Sequence, residues 1–191
     1  MEKAQTVTIT FPSFPYNSYK FMKEKDIADL FYFLRTLPPS SLPNIQHDIL
    51  FSKLIRRFMS LYNVRYNFLS PRIPTDMSEG EYLVKALGHC SECHTSREIF
   101  GVPKFNFYLS GDIIYEKGKI KTPNITPDKS GIADWSEEEI VNYLITGFTP
   151  DYDSSGGLMT EVIENLDPLN DNELMEIAKY LKSIDLINDK N

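Results

Sequence analysis

The sequence predicts an all-α fold, and three stretches predict it. "NDNELMEIAKYLKSI" places Leu174, Ile177, Ala178, Leu181 and Ile184 at i, i+3, i+4, i+7 and i+10, an apolar stripe on one helix face. "KDIADLFYFLRTLPP", near the other end, carries a stripe of the same kind. "DWSEEEIVNYLITG" opens on Ser136 with Glu139 at capping-box spacing and closes on Gly147, a helix with both ends marked.

Composition sets the bounds. At 191 residues the chain is long enough for one domain and a fragment, and 41% hydrophobic with 13% aromatic content supplies a packed core. The net charge of −7 argues against a nucleic-acid binder and favours basic surfaces as partners. No apolar run approaches the ~18 residues of a membrane helix. The opening "MEKAQTVTITFPSFPYNSYK" lacks a basic stretch followed by an apolar one, so no export signal is visible. Two cysteines in one four-residue motif exclude a disulfide framework.

In chain order, the first helix is expected in the stretch quoted above, residues 25–39. It aligns with the last one at an offset of 147 residues: Ile27 meets Leu174, Leu30 meets Ile177, Leu34 meets Leu181 and Leu37 meets Ile184. Phe33, Arg35 and Thr36 fall on Tyr180, Lys182 and Ser183, which is more than an apolar stripe requires and reads as an internal repeat. From Pro38 to Pro74 runs a proline-punctuated linker interrupted by "DILFSKLIRRFMSLY". There Ile49, Ile55, Phe58 and Met59 oppose Lys53, Arg56 and Arg57, a basic amphipathic helix that packs on its own domain or meets a membrane or partner.

Next, "SEGEYLVKAL" reads as a helix leading into "GHCSECHT", and a short hairpin is expected around Gly118. After the capped helix at Ser136, the Gly/Ser stretch "DSSGGLMTEVI" reads as a loop. The last helix opens at Asn170 with Glu173 at the box position, and Lys179 and Lys182 lie toward its end, where cations suit the helix dipole.

The chemistry lies in "GHCSECHT". A redox dithiol of thioredoxin type sets C-x-x-C at a helix start within a βαβ unit, whereas here a helix leads in and no strand closely precedes. A structural zinc site needs four ligands, and Cys90, Cys93, His94 and His89 are the only local donors. His94 adjoins Cys93, and such neighbours rarely reach one tetrahedral ion together. A covalent haem uses every position: two thiols one helical turn apart add across two vinyl groups, and the next residue sends its imidazole to the iron. Electron transfer then needs a sixth ligand, commonly a methionine thioether. Met175 lies off the apolar stripe of its helix, whereas Met159 sits in the glycine-rich loop, where the backbone is free to aim a side chain.

"EGEYLVKALGHCSECHTSRE", "TPNITPDKSGIADWSEEEIVNYLITGFTPD" and "GGLMTEVIENLDPLNDNELMEIAKYLKSI" resemble the c-type cytochrome subunits of membrane-associated bacterial dehydrogenases that oxidise alcohols, gluconate or fructose, and their dihaem relatives. The resemblance runs from Phe11 to Ile184. It implies class I cytochrome c domains in tandem that relay electrons from a dehydrogenase to quinone or an oxidase at the periplasmic side of the membrane. By position, Cys90 and Cys93 hold one haem c, His94 is the proximal ligand and Met159 the distal one. The resemblance also gives Pro123-Asn124 the place of a Pro-Asn whose proline carbonyl accepts the imidazole Nδ1 proton. Trp135 falls on a tryptophan that lines the haem pocket or packs in the core, and Arg97 is either a propionate partner or a surface residue.

The resemblance is incomplete at the start of the chain. In "FPSFPYNSYK" the family's axial methionine position holds Phe14, and no attachment motif precedes it. The expected organisation is therefore a remnant of a first cytochrome domain over 1–42, a linker over 43–76, and a haem-binding domain over 77–187. With no leader visible, the chain reads as a truncation or a piece cut from something longer. A haem enzyme or gas sensor with an open distal position is the alternative function, as is a fragment that never acquires haem.

Overall fold

The computed structural model describes residues 15–42, 52–69, 76–99, 101–115 and 119–185. Phe14, Ile49 and Gly118 lie outside the described residues, as do the side chains of Ile55 and Met59. The described chain is helical apart from one two-stranded hairpin. Its helices are α1 (Tyr16–Tyr19), α2 (Glu24–Thr36), α3 (Ser52–Leu69), α4 (Glu79–Tyr82), α5 (Ser91–His94), α6 (Glu137–Thr146), α7 (Leu158–Leu166) and α8 (Asp171–Ser183). The strands β1 (Asp112–Tyr115) and β2 (Lys119–Thr122) pair antiparallel, with Asp112 opposite Thr122.

The core forms where α8 crosses α4 and α6. The stripe foreseen on α8 is the buried face: Leu174, Ile177, Ala178 and Leu181 pack with Val84, Leu109, Ile132, Ile140 and Leu144. Both expected capping boxes close reciprocally. Ser136 accepts from the Glu139 amide while Glu139 accepts from the Ser136 amide, and Asn170 and Glu173 do the same on α8. Gly147 ends α6 at φ +76, a left-handed position where a side chain would be strained.

Lys182 does more than face a dipole. Its ammonium donates to the carbonyls of Ile132 (3.2 Å), Ala133 (2.8 Å) and Trp135 (2.8 Å), tying the turn before α6 to the end of α8. Lys182→Met removes all three bonds at once and is expected to cost about 2 kcal/mol, the worth of hydrogen bonds to a charged group. Urea unfolding followed by circular dichroism measures it.

α2 and α8 are both 13 residues long, and each begins and ends 147 residues from the other. Each closes with a hydroxyl bonded to a carbonyl three residues back, Thr36 to Phe33 (2.7 Å) and Ser183 to Tyr180 (2.8 Å). Their surroundings differ. Leu174 and Leu181 are 3% and 6% exposed, whereas their counterparts Ile27 and Leu34 are 49% and 53% exposed. On α3, Tyr62 and Tyr66 bury against Val102, while Phe58, Leu61 and Phe68 stay exposed.

Candidate functional site

The approach to the cysteine motif is a continuous helix, as expected, but its last turn is wider. Ser78 caps α4, and residues Leu83–Leu87 continue it as a π-helical turn closed by the Gly88 amide on the Leu83 carbonyl (2.7 Å). Such turns are frequent at functional sites. Here the chain then bends through His89, at φ +37, and the Cys90 amide returns to the Val84 carbonyl (3.1 Å). Cys90 therefore enters α5 from a fixed position.

Cys90 and Cys93 occupy one helical turn as half-buried thiols that form no disulfide. Burial pushes the Cys90 thiol up to about 11, and the facing Cys93 adds to the rise. His94 closes the turn and is 9% exposed. Its Nδ1 donates to the Pro123 carbonyl at 2.8 Å. Desolvation holds the imidazole below its ordinary value, against the opposing pull of that bond, which favours the neutral ring.

The loop carrying Pro123 is pinned to α5 from several sides. Thr122 Oγ1 donates to the Cys93 carbonyl (2.8 Å) and the Gly111 amide to the His94 carbonyl (2.7 Å). Thr95, fully buried, accepts from the Leu109 amide through its hydroxyl (3.0 Å), and the Ile125 amide bonds the Leu109 carbonyl (3.0 Å). None of Thr95, Leu109, Gly111 or Thr122 was legible as part of a site. They act through backbone bonds across 14 or more residues, which no local pattern encodes.

Asn124 organises the same loop. Its Oδ1 accepts from the amide and hydroxyl of Thr126 (2.9 and 2.7 Å), and its Nδ2 donates to Ser130 (2.9 Å). Trp135 is partly buried against the core with its ring edge-on to Tyr143, 5.6 Å between centroids. Arg97 is committed within the protein: its guanidinium bonds the Glu92 carboxylate and carbonyl and the Gly101 carbonyl (2.9 Å), bracing the motif's glutamate. Met159 differs from expectation in its setting. It lies in the first turn of α7 rather than in a loop, half-buried and packed on the same core as Cys90 and Trp135. The helix escaped notice because Gly157, at φ +57, starts it without a side-chain cap.

Two thiols one turn apart, an imidazole held by Nδ1 with Nε2 left open, and a half-buried thioether on the same core are a donor set that fits the C-x-x-C-H pattern. Among the described residues no group of three or more His, Cys, Asp or Glu has the arrangement of a metal site. Pro123, which the resemblance names as the partner of the imidazole, has its carbonyl 2.8 Å from His94 Nδ1.

Comparison with known proteins adds names to this arrangement. No protein-family model matches the chain. A diheme cytochrome c-type protein of Cereibacter sphaeroides is 41% identical over 181 residues, covering 93% of this chain and 60% of its own length. The cytochrome subunit of a fructose dehydrogenase from Gluconobacter japonicus is 30% identical, covering 91% of this chain and 37% of its own length. The cytochrome c subunit of a gluconate 2-dehydrogenase from Pantoea cypripedii is 30% identical, at 91% and 42%. The chain thus spans 60% of the first relative and about two fifths of the dehydrogenase subunits.

Proposed function

We propose that this chain, a homologue of c-type cytochromes along more than nine-tenths of its length, is an electron-transfer protein that holds one covalent haem c in residues 77–187. The observation that carries the reading is His94 bonded through Nδ1 to Pro123 beside the two cysteines on the same helical turn. Cys90 and Cys93 would hold the haem by thioether bonds, and His94 Nε2 and the Met159 sulfur would be the donors to its iron. When bound, the haem supplies a reversible one-electron couple.

The protein's own residues set the conditions. Pro123 fixes the orientation of the imidazole and raises its basicity. Asn124 keeps the Pro123 carbonyl in place by fastening the loop after it to Thr126 and Ser130. Trp135, Ile125 and Tyr143 pack on the same core and keep water from the buried side of the site. No group in this arrangement needs to act as acid or base.

Residues 1–42 are proposed to be the closing part of another cytochrome domain, with 43–76 as linker. The matched length, ends and hydroxyl closures of α2 and α8 support this, and the exposed stripe of α2 is the face such a domain would bury. The fructose and gluconate dehydrogenase subunits among the relatives support a dehydrogenase as electron donor; a quinone or oxidase as acceptor and a place on the periplasmic face of the membrane complete the proposal. Among the described residues no helix is long and apolar enough to cross a membrane.

The test is a pyridine haemochrome assay on protein directed to the periplasm of a host with haem c maturation. One haem per chain, resistant to acid-acetone extraction, is expected. A protein without covalent haem overturns the proposal.

A further inference from the structure

We infer that the surface formed by the end of α6, the loop 147–157 and the first turns of α7 docks a redox partner whose own contact face is apolar and ringed by Lys and Arg. The inference rests on the electron-transfer reading and names the partner chemistry for it.

Five large apolar side chains stand exposed in this one region: Ile145, Phe148, Tyr152, Leu158 and Val162. The loop between the helices is folded back on itself. The Ser155 amide bonds the Gly147 carbonyl (2.7 Å), Phe148 bridges Ser154, and the Thr149 amide bonds the Asp153 carbonyl (2.8 Å). A side chain at Gly147 would lie 3.6 Å from Ile163, so the loop rests against α7. Tyr152 is 89% exposed and left-handed at φ +61, a position that a bulky residue occupies at a conformational cost. A ring held outward at that cost, beside four other exposed apolar groups, marks a contact surface.

Charge identifies the occupant. Asp151, Asp153 and Glu161 rim the apolar centre, and all three are exposed. They belong to a larger asymmetry: residues 130–178 hold twelve Asp and Glu and no Lys, Arg or His. The rest of the chain sets 15 acids against all 20 Lys and Arg and is net positive. The segment that carries this surface is therefore strongly negative, which steers cationic partners and repels an anionic bilayer. A second copy presenting the same face would be repelled as well. Met159, the proposed axial donor, follows Leu158 directly, so the contact surface and the proposed site share the first turn of α7.

The test uses the haem-loaded protein, reduced, and follows its oxidation by stopped flow at rising salt. The acceptors are a lysine-rich mitochondrial cytochrome c and an acid-patched plastocyanin. Expected is fast transfer to the first that slows with salt, and slow transfer to the second. D151N/D153N/E161Q should cut the low-salt rate to the lysine-rich acceptor about tenfold and flatten its salt dependence. E24Q/D76N/E79Q, removing three exposed acids elsewhere, should change it less than twofold. Phe148→Ser with Tyr152→Ser should slow transfer without changing the salt slope. In ¹⁵N spectra the lysine-rich cytochrome should shift amides of residues 145–162. Equal effects of the two charge triples, equally fast transfer to plastocyanin, or amide shifts confined to other regions each overturn the inference. Absence of haem, seen before any partner is added, overturns the electron-transfer reading itself.

Discussion

Gly80→Ala is expected to cost about 3 kcal/mol or more, although alanine ordinarily favours a helix over glycine by about 1 kcal/mol. The sign reverses because of what lies across the helix. A Cβ at Gly80 would fall 2.5 Å from the Glu176 carbonyl carbon and closer still to its oxygen, with Tyr180 Cβ at 2.9 Å. These are backbone and near-backbone atoms of α8, which no rotamer change moves aside. Relief requires α4 to lift from α8, and that loosens Leu83 and Val84 against Leu174, Ile177 and Leu181. The crossing also carries the π-helical turn that delivers Cys90, so the damage reaches the site. Gly156→Ala is the control: its Cβ meets nothing within 4 Å, and the change should be neutral or stabilise by up to about 1 kcal/mol. Urea unfolding of both variants, followed by circular dichroism with the slope checked for constancy, measures the difference. A Gly80→Ala protein as stable as the parent would show that the two helices do not meet there.

The same crossing shows what the sequence makes legible. The α8 stripe, its capping box and the box and glycine of α6 were readable because their chemistry is local: spacing, one hydroxyl or amide, one carboxylate three residues on. Whether a stripe is covered is not local. The stripes of α2 and α8 read alike, yet one is core and the other faces outward. The stretch around α3 singles out Ile49, Ile55, Phe58 and Met59 by spacing, whereas among the described side chains Phe58 is exposed and Tyr62 and Tyr66 are the ones that find a partner in Val102. The C-x-x-C-H motif was legible from five residues, and a contact of His94 with Pro123 was expected from resemblance. The links that hold N-terminal segment and site together were not. Ser18 bonds Glu92 (3.2 Å), Tyr19 meets His89 edge-on, and the Tyr82 hydroxyl joins Asp26 (2.5 Å) to the Lys23 amide (3.1 Å). Each pairs residues 56 or more apart, where sequence pattern carries no signal.

Met159→Ala is expected to abolish the far-red band of thioether-ligated ferric haem, to lower the reduction potential, and to let the reduced protein bind carbon monoxide. The effect on chemistry should be large and the effect on fold small, since α7 is anchored by the buried Ile163 and Met159 is only half-buried. Position in the first helical turn matters to the outcome. A loop residue could be replaced functionally by a neighbour swinging in, but the helix fixes Met159 between Leu158 and Thr160, neither of which offers a sulfur or nitrogen donor. No other methionine stands close in sequence to replace it. Met175, the remaining one after the attachment motif, sits beside Leu174 on α8, and Met175→Ala should leave the band in place. Haem content measured in parallel keeps ligation separate from attachment, because Cys90 and Cys93 are untouched in both variants. A band that survives Met159→Ala and vanishes in Met175→Ala would move the axial ligand to α8. Loss of the band only in the first fixes the ligand at the start of α7.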